Sequence, residues 1–329
     1  MKVLVTGGAG YIGSHTAKRL AEHGHTPITF DNLSTGHRAL ARFGPLVVGD
    51  VTDPAALDAA ISAHRPEAIV HFAALSQVGE SMQRPELYFR NNVGGTVALV
   101  EAALRGRIGT FVFSSTAATY GIPSHVPILE TQAVQPINPY GESKLACEML
   151  LRSASAAHGL SCTALRYFNA AGADPGGLIG EAHDPETHAI PLLLMAAAGK
   201  RAGFAIFGDD YDTPDGTCIR DYLHVTDLAE AHVRALTLSG AARFEAINLG
   251  TGHGQSVREL VDAARAVTGR DFRVEARPRR AGDPPSLVAD AGKALDLLGW
   301  KAEHSSLDHI MRTAWDWTNA PANPLHNRG

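Results

Sequence analysis

Three cysteines in 329 residues are too few and too scattered to staple a fold together. Cys147, Cys162 and Cys218 form no C-x-x-C pair and are odd in number. That argues against a disulfide framework and a zinc site, and for a reducing compartment. Basic and acidic residues nearly balance, at 29 against 34 and a net charge of −5. With no Lys/Arg run, the chain offers no electrostatic footprint for nucleic acid. No apolar stretch approaches the about 20 residues of a membrane span. The opening MKVLVTGGAG has too short an apolar run for a signal peptide and reads as a first strand. Sixteen histidines show neither H-E-x-x-H nor any clustered His/Cys spacing, so no metal is expected. Internal repeats and low-complexity segments are also missing. The expectation is a cytoplasmic protein of two domains, or of one domain with a large second lobe.

What is present is regular alternation. Strand-like runs at 2–6, 27–32, 46–50, 67–73, 109–115 and 162–169 are separated by helix-like segments at Tyr11–His23, Pro54–His64, Asn92–Leu104 and Gly141–His158. The strands are continuously apolar, as when both faces of a sheet are covered. This pattern predicts βαβ units and an α/β fold, a Rossmann-type doubly wound parallel sheet. After about residue 170 the chain becomes rich in Gly, Pro and Asp, with helical patterns in AIPLLLMAAAGK, Val225–Leu238 and Val257–Thr268 and a strand-like AINLG at 246–250. The expected division is 1–170 as a nucleotide-binding domain and 171–329 as a smaller mixed α/β lobe, with a segment near 225–255 returning to the first domain. The tail from Asn319 has little to bury and is expected to fray.

TGGAGYIG (6–13) lies between the first strand and the first helix. Gly8, Gly10 and Gly13 match G-x-G-x-x-G, and Gly7, Gly10 and Gly13 equally match a wider G-x-x-G-x-x-G. Such glycines permit a tight turn, close backbone approach to a pyrophosphate, and helix–strand packing. A P-loop would need Lys next, and Ser14 and His15 stand there instead. Asp31 ends the second strand, where a carboxylate binds an adenosine ribose 2′-hydroxyl and repels a 2′-phosphate. NAD is therefore favoured over NADP.

NPYGESKLACE (138–148) sets Tyr140 and Lys144 four positions apart, on one face of a helix. An ammonium beside a phenol favours the phenolate, a base usable near neutral pH. Taken alone, the pair is better explained by an amphipathic helix whose Tyr packs and whose Lys snorkels.

With FSSTAATYG (113–121) between the glycine loop and Tyr140-x-x-x-Lys144, the sequence resembles the extended short-chain dehydrogenase/reductase family. DNLSTG (31–36), GDV (49–51), HFAALSQVGES (71–81), NNVGGT (91–96), LRYFNAAGA (165–173), IFGDDY (206–211), DGTCIRDYLHVTDLA (215–229) and RPRRAGDPP (277–285) narrow the resemblance to the UDP-glucose 4-epimerases, over nearly the whole chain. The resemblance implies reversible interconversion of UDP-glucose and UDP-galactose through a 4-keto sugar, with tightly bound NAD. It implies Tyr140 as acid/base, Lys144 on the nicotinamide ribose, where together with the positive nicotinamide ring it holds the phenol's pKa down, and Thr116 as the hydroxyl on the sugar O4. NAD contacts implied are Gly7, Gly10, Tyr11, Ile12, Gly13, Asp31, Asn32, Asp50, Val51, Phe72, Ala73, Ala74, Ser76, Asn91, Ser114 and Phe168, besides Tyr140 and Lys144. Ser76 stands where some members carry Lys. Implied substrate contacts are Asn169, His188, Phe207, Arg220, Arg280 and Asp283, which hold the UDP portion. Leu287, fourth after Asp283, flanks the sugar pocket. A homodimer formed through the helices at 92–104 and 141–158 is implied as well.

Other NAD-dependent nucleotide-sugar enzymes share this fold, among them 4-epimerases of UDP-N-acetylhexosamines or UDP-pentoses and dehydratases or decarboxylases. Dehydratases carry an acid pair directly after the active-site Thr, where this chain has Ala117 and Ala118. A non-catalytic NAD-binding regulator is the rival of another class.

Overall fold

The computed structural model describes residues 1–238, 243–280 and 283–327. Strands β1 (Lys2–Thr6), β2 (Thr26–Asp31), β3 (Leu46–Val48), β4 (Ala68–His71), β5 (Thr110–Thr116) and β6 (Ser161–Tyr167) belong to one sheet. Four short strands then leave it: β7 (Asn169–Ala171), β8 (Phe204–Phe207), β9 (Ile219–Arg220) and β10 (Tyr222–His224). β11 (Phe244–Leu249) pairs parallel with β6 and completes a seven-stranded order β11-β6-β5-β4-β1-β2-β3. β12 (Gln255–Ser256) and β14 (Ser286–Leu287) flank β9, and β13 (Val274–Arg277) pairs with β8.

Successive strand residues point to opposite faces, so β1 sends Leu4 one way and Val3 and Val5 the other. Leu4 joins Phe30, Ile69, Phe111 and Phe113 in one apolar layer. It lies beneath α2 (Pro54–His64), α5 (Gly94–Arg105) and α6 (Pro139–His158), which supply Leu57, Leu99 and Leu151. α3 (Val78–Gln83) and α4 (Pro85–Tyr88) precede α5. Val3 and Val5 join Val70, Val112, Leu165 and Ile247 in a second layer. Over it lie α1 (Tyr11–Glu22) and, later in the chain, α8 (Val225–Ala235) and α10 (Gly292–Leu298). The smaller lobe is built on α7 (Ala189–Ala197), α9 (Val257–Thr268) and α11 (Leu307–Asn319), with Leu193, Leu260, Ile310 and Met311 at its centre.

Boundaries move where local chemistry outweighs hydrophobic pattern. α6 begins at Pro139, two residues before the expected Gly141, because Asn138 caps the Gly141 N–H at 2.9 Å and Pro suits a first turn. α5 starts at Gly94 after a π-helical turn over Phe89–Val93. The tail is more ordered than expected. Asn323 is buried with its N–H on the Ala320 carbonyl at 3.0 Å, Ala320 and Ala322 pack beside Trp317, and a 3-10 turn spans Pro324–Asn327.

Candidate active site

The carboxyl ends of β1, β2, β4 and β5 converge where a doubly wound sheet binds ligands. Gly7 adopts φ +70°, and a Cβ there would lie 2.6 Å from the Ala73 nitrogen. A Cβ on Gly13 would lie 2.2 Å from the Gly7 carbonyl oxygen. Both glycines are therefore demanded by the chain's own packing. Gly10 is not: its Cβ would meet only the Gly7 oxygen, at 3.2 Å. As N-cap of α1 it contributes no side-chain cap, which leaves a smooth, donor-rich helix end of the kind that receives an anion. Beside it, Asp31 accepts the Ala9 N–H at 2.9 Å and the Leu33 N–H at 2.8 Å. Burial raises its pKa, against the pull of those N–H groups. Tyr11 is buried and donates to the Gly172 carbonyl at 2.6 Å. A dinucleotide fits this cradle: an open glycine at the helix end, and a carboxylate poised one strand away.

Other expected NAD contacts line the same edge. Asn32 is exposed and donates to Asp50 at 2.9 Å, while Val51 is buried. Ile12, Phe72, Ala73, Ala74, Asn91 and Phe168 are half-buried, and Ser76 is exposed. Asn91 donates to Asn92, whose own amide donates to the Leu75 carbonyl and the Ser143 hydroxyl, both at 3.0 Å. Asn92 thus straps the turn after β4 to α6.

At the end of β5, the Thr116 hydroxyl accepts the Ala118 N–H at 3.1 Å and lies near the half-buried Tyr140. A Cβ on Gly141 would sit 2.6 Å from the Ala118 carbonyl oxygen, so the missing side chain lets the first turn of α6 approach the 3-10 turn Ala117–Tyr120. Burial raises the Tyr140 pKa, and the nearby Thr116 hydroxyl opposes it. Lys144 is 2% exposed and aims its ammonium at the Ser114 carbonyl, 2.8 Å away, so the chain alone does not hold the phenol down. Burial lowers Lys144 itself to about 8, with Cys147 and Glu148 pulling the other way. The Ser114 hydroxyl bonds the Tyr167 hydroxyl.

Beneath these groups lies a buried network with no sequence signal. Ser115, next to Thr116, donates to Glu148 at 2.5 Å. Arg166 grips Glu148 through Nε at 2.9 Å and Nη2 at 2.5 Å and donates to Tyr120 at 2.9 Å. Tyr120 donates to Asn248 at 2.7 Å. The network ties β5, α6, β6 and β11 together directly behind the Thr116–Tyr140 pair.

The expected substrate contacts form a second group in the smaller lobe. Arg220 pairs with Asp283 and is in register with Leu287 across β9 and β14. Arg280 lies over the Phe207 ring, 4.0 Å from its centre. Asn169 donates to the Asp221 carbonyl at 3.2 Å. His188 is paired with Glu181 at 2.9 Å and Glu186 at 2.8 Å. Burial disfavours its charge, but the two carboxylates outweigh that and raise its pKa. A cavity of about 490 Å³ between α6 and β11, lined by Arg152, Arg166, Phe244 and Lys293, includes none of the expected site residues.

The comparisons agree with this geometry. Residues 3–250 match the model of the NAD dependent epimerase/dehydratase family. A UDP-glucose 4-epimerase of Rhizobium leguminosarum bv. trifolii is 54% identical over 316 residues, 96% of each chain. The Brucella ovis UDP-glucose 4-epimerase, solved with NAD, superimposes at TM-score 0.93 with 54% identity, covering 95% of this chain and 97% of that one. The Bifidobacterium longum enzyme, solved with NAD⁺ and UDP, superimposes at 0.93 with 36% identity, over 98% and 99% of the two chains. A glycine cradle, a Tyr–Lys helix and a Thr hydroxyl in one cleft, together with this degree of likeness, settle its kinship: the chain belongs to the NAD dependent epimerase/dehydratase family, among its UDP-glucose 4-epimerases.

Proposed function

We propose that the chain interconverts UDP-glucose and UDP-galactose by reversible oxidation at C4, with NAD held in the glycine cradle. The observation that carries this reading is the placement of the Thr116 hydroxyl near Tyr140 at the end of β5, with Lys144 one helical turn further along the same helix. When bound, NAD accepts the C4 hydride and gives it back, and its oxidised ring carries the positive charge that complements a phenolate. Gly10 and the first turn of α1 receive the pyrophosphate, and Asp31 binds the adenosine ribose. Asn32, Asp50, Val51, Phe72, Ala73, Ala74 and Asn91 line the dinucleotide.

Tyr140 takes the proton from the sugar 4′-hydroxyl as that carbon is oxidised. Thr116 holds the same oxygen, and Lys144 positions the nicotinamide ribose. The 4-keto sugar swings about its diphosphate link and presents its other face. Tyr140 then returns the proton to the reduced oxygen. Arg220 and Arg280 anchor the diphosphate, since guanidinium forks suit phosphate oxygens, and Asp283 accepts from the uridine ribose. Asn169, His188 and Phe207 complete the UDP site. Ala117 and Ala118 offer no acid pair, which disfavours dehydration. Leu287 is half-buried beside Arg220, a position from which it flanks the sugar.

Release of NAD⁺ and NADH on denaturing the purified protein tests the cofactor assignment. Protein that is cofactor-free yet active without added NAD contradicts it.

We also propose a homodimer through α5 and α6. Val97 on α5 and Met149 on α6 are 38% and 63% exposed, and two such helix pairs make a four-helix interface. Sedimentation at monomer mass at micromolar concentration refutes this. Among the described residues no helix is long and apolar enough to cross a membrane. The three buried free thiols suit the reducing cytoplasm that we propose as its location.

A further inference from the structure

The segment Glu181-Ala-His183-Asp-Pro-Glu186-Thr-His188 runs from Gly180 to α7, with His188 as the helix N-cap. It folds so that one donor atom from each of Glu181, His183, Glu186 and His188 lies within 4.8 Å of the others. His183 Nδ1 is 3.0 Å from Glu181 Oε1 and 4.0 Å from Glu186 Oε2. His188 Nδ1 is 2.9 Å from Glu181 Oε1 and 2.8 Å from Glu186 Oε1. In a tetrahedral site with bonds of about 2.0–2.1 Å, neighbouring ligand atoms stand roughly 3.3–3.4 Å apart. The four separations bracket that value. Displacements of about half an ångström convert the arrangement from hydrogen-bonded pairs to a coordination shell.

We propose that these four side chains bind one divalent transition-metal ion of the zinc type. Two imidazoles and two carboxylates form a mixed N/O donor set, which suits zinc, cobalt or nickel over magnesium or calcium. The carboxylates are sheltered, with Glu181 and Glu186 side chains 8% and 10% exposed, and a bound ion takes over the cationic pairing that His188 otherwise gives them. The imidazoles of His183 and His188 are 32% and 49% exposed, so an ion can enter from solvent.

The backbone of the segment is also held from outside it. Trp317 Nε1 donates to the Glu181 carbonyl at 2.7 Å, and the His37 ring lies 2.7 Å from the Ala182 carbonyl. The N–H groups of Thr187 and His188 both donate to Glu186 Oε1, at 2.7 and 2.8 Å. Ligating carboxylates are commonly supported by such hydrogen bonds. The His183 ring lies 6.4 Å from the ring of Tyr11, in the glycine loop. The ion therefore closes the segment before α7 on itself, with His183 beside the dinucleotide cradle. It binds whether or not the proposed reaction is correct.

Protein purified without a polyhistidine tag, stripped with chelator and dialysed, is titrated calorimetrically with zinc chloride and separately with magnesium chloride. One saturable zinc site per chain is expected, with magnesium at least 100-fold weaker. His183→Asn should weaken zinc at least 10-fold while circular dichroism and NAD content stay at parental values. His253→Ala, at an exposed histidine, should change nothing. If His183→Asn does not fold, Glu186→Gln carries the same expectation. Absence of saturable zinc binding overturns the proposal, as does parental affinity in the ligand variant.

Discussion

Replacing Gly10 by Ala separates ligand binding from folding, because Gly10 is the glycine of the loop whose openness the chain's own packing does not explain. Its backbone sits at φ −86°, ψ 179°, which alanine adopts without strain. The new methyl meets one atom, the Gly7 oxygen at 3.2 Å, and a shift of a few tenths of an ångström relieves that contact. Exchanging a Gly N-cap for Ala costs at most about 1 kcal/mol. With an unfolding entropy of about 2.1 cal/mol/K per residue, that lowers the Tm of 329 residues by roughly 1–2 °C. In the proposed complex the same methyl occupies the surface that faces the pyrophosphate. Losing one charge-assisted hydrogen bond there costs about 1.5–3 kcal/mol, so NAD should bind roughly 10- to 150-fold more weakly. Gly13→Ala is the contrast. Its Cβ falls 2.2 Å from the Gly7 oxygen, a backbone clash that must distort the loop, so stability and NAD should both be lost. Differential scanning fluorimetry and NAD content after gel filtration read the two effects separately. Parental NAD content in Gly10→Ala refutes the reasoning, and so does a Tm loss matching that of Gly13→Ala.

Lys144→Met should abolish turnover yet leave stability at pH 7 unchanged or raised by up to about 2 kcal/mol. The pKa of about 8, against an ordinary 10.5, implies a charge-burial penalty on the order of 3 kcal/mol, partly offset by the lost hydrogen bond to Ser114. That penalty is full below pH 8 and fades as pH rises from about 8 towards 10.5, so any gain should shrink in urea melts at higher pH. A loss beyond 2 kcal/mol at pH 7 argues against it. Glu148→Ala strands the buried Arg166 guanidinium and should cost about 3–5 kcal/mol. Turnover should fall as well, since Ser115 and the end of β5 lose their tether; a Tm within about 1 °C of the parent contradicts this. Leu287→Tyr should lower kcat/KM for UDP-N-acetylglucosamine relative to UDP-glucose, by the ~1–3 kcal/mol typical of shape discrimination. An unchanged ratio removes Leu287 from the sugar pocket.

The sheet was legible because covered strands must be apolar on both sides: KVLVT is β1 residue for residue. The glycine loop and the Tyr–Lys pair were legible for a similar reason, since local spacing alone places them on a turn and a helix face. The buried network was not. Glu148 meets Ser115 and Arg166 across 33 and 18 residues, and Tyr120 meets Asn248 across 128. Only the assembled sheet brings these together, and a lone Glu in an amphipathic helix looks like any solvated face. The direction of the Lys144 ammonium was hidden too. Spacing puts it beside Tyr140, but the Ser114 carbonyl at the end of β5 decides where it points. α11 went unread although Ile310, Met311, Ala314 and Trp317 have helical spacing, because the partners they cover, Leu193, Leu260 and Leu40 among them, lie far away in sequence.

The central claim is that Tyr140 moves the proton in a redox-neutral epimerisation. Purified protein is incubated with UDP-galactose and no added NAD, and UDP-glucose is followed by coupled oxidation, for the parent chain and for Tyr140→Phe. The phenyl ring still packs in the variant, so UDP affinity should hold while kcat falls by about 10²-fold or more, the scale of general acid–base catalysis. Near-parental turnover in Tyr140→Phe contradicts the account, as does a parent chain that retains NAD but forms no UDP-glucose.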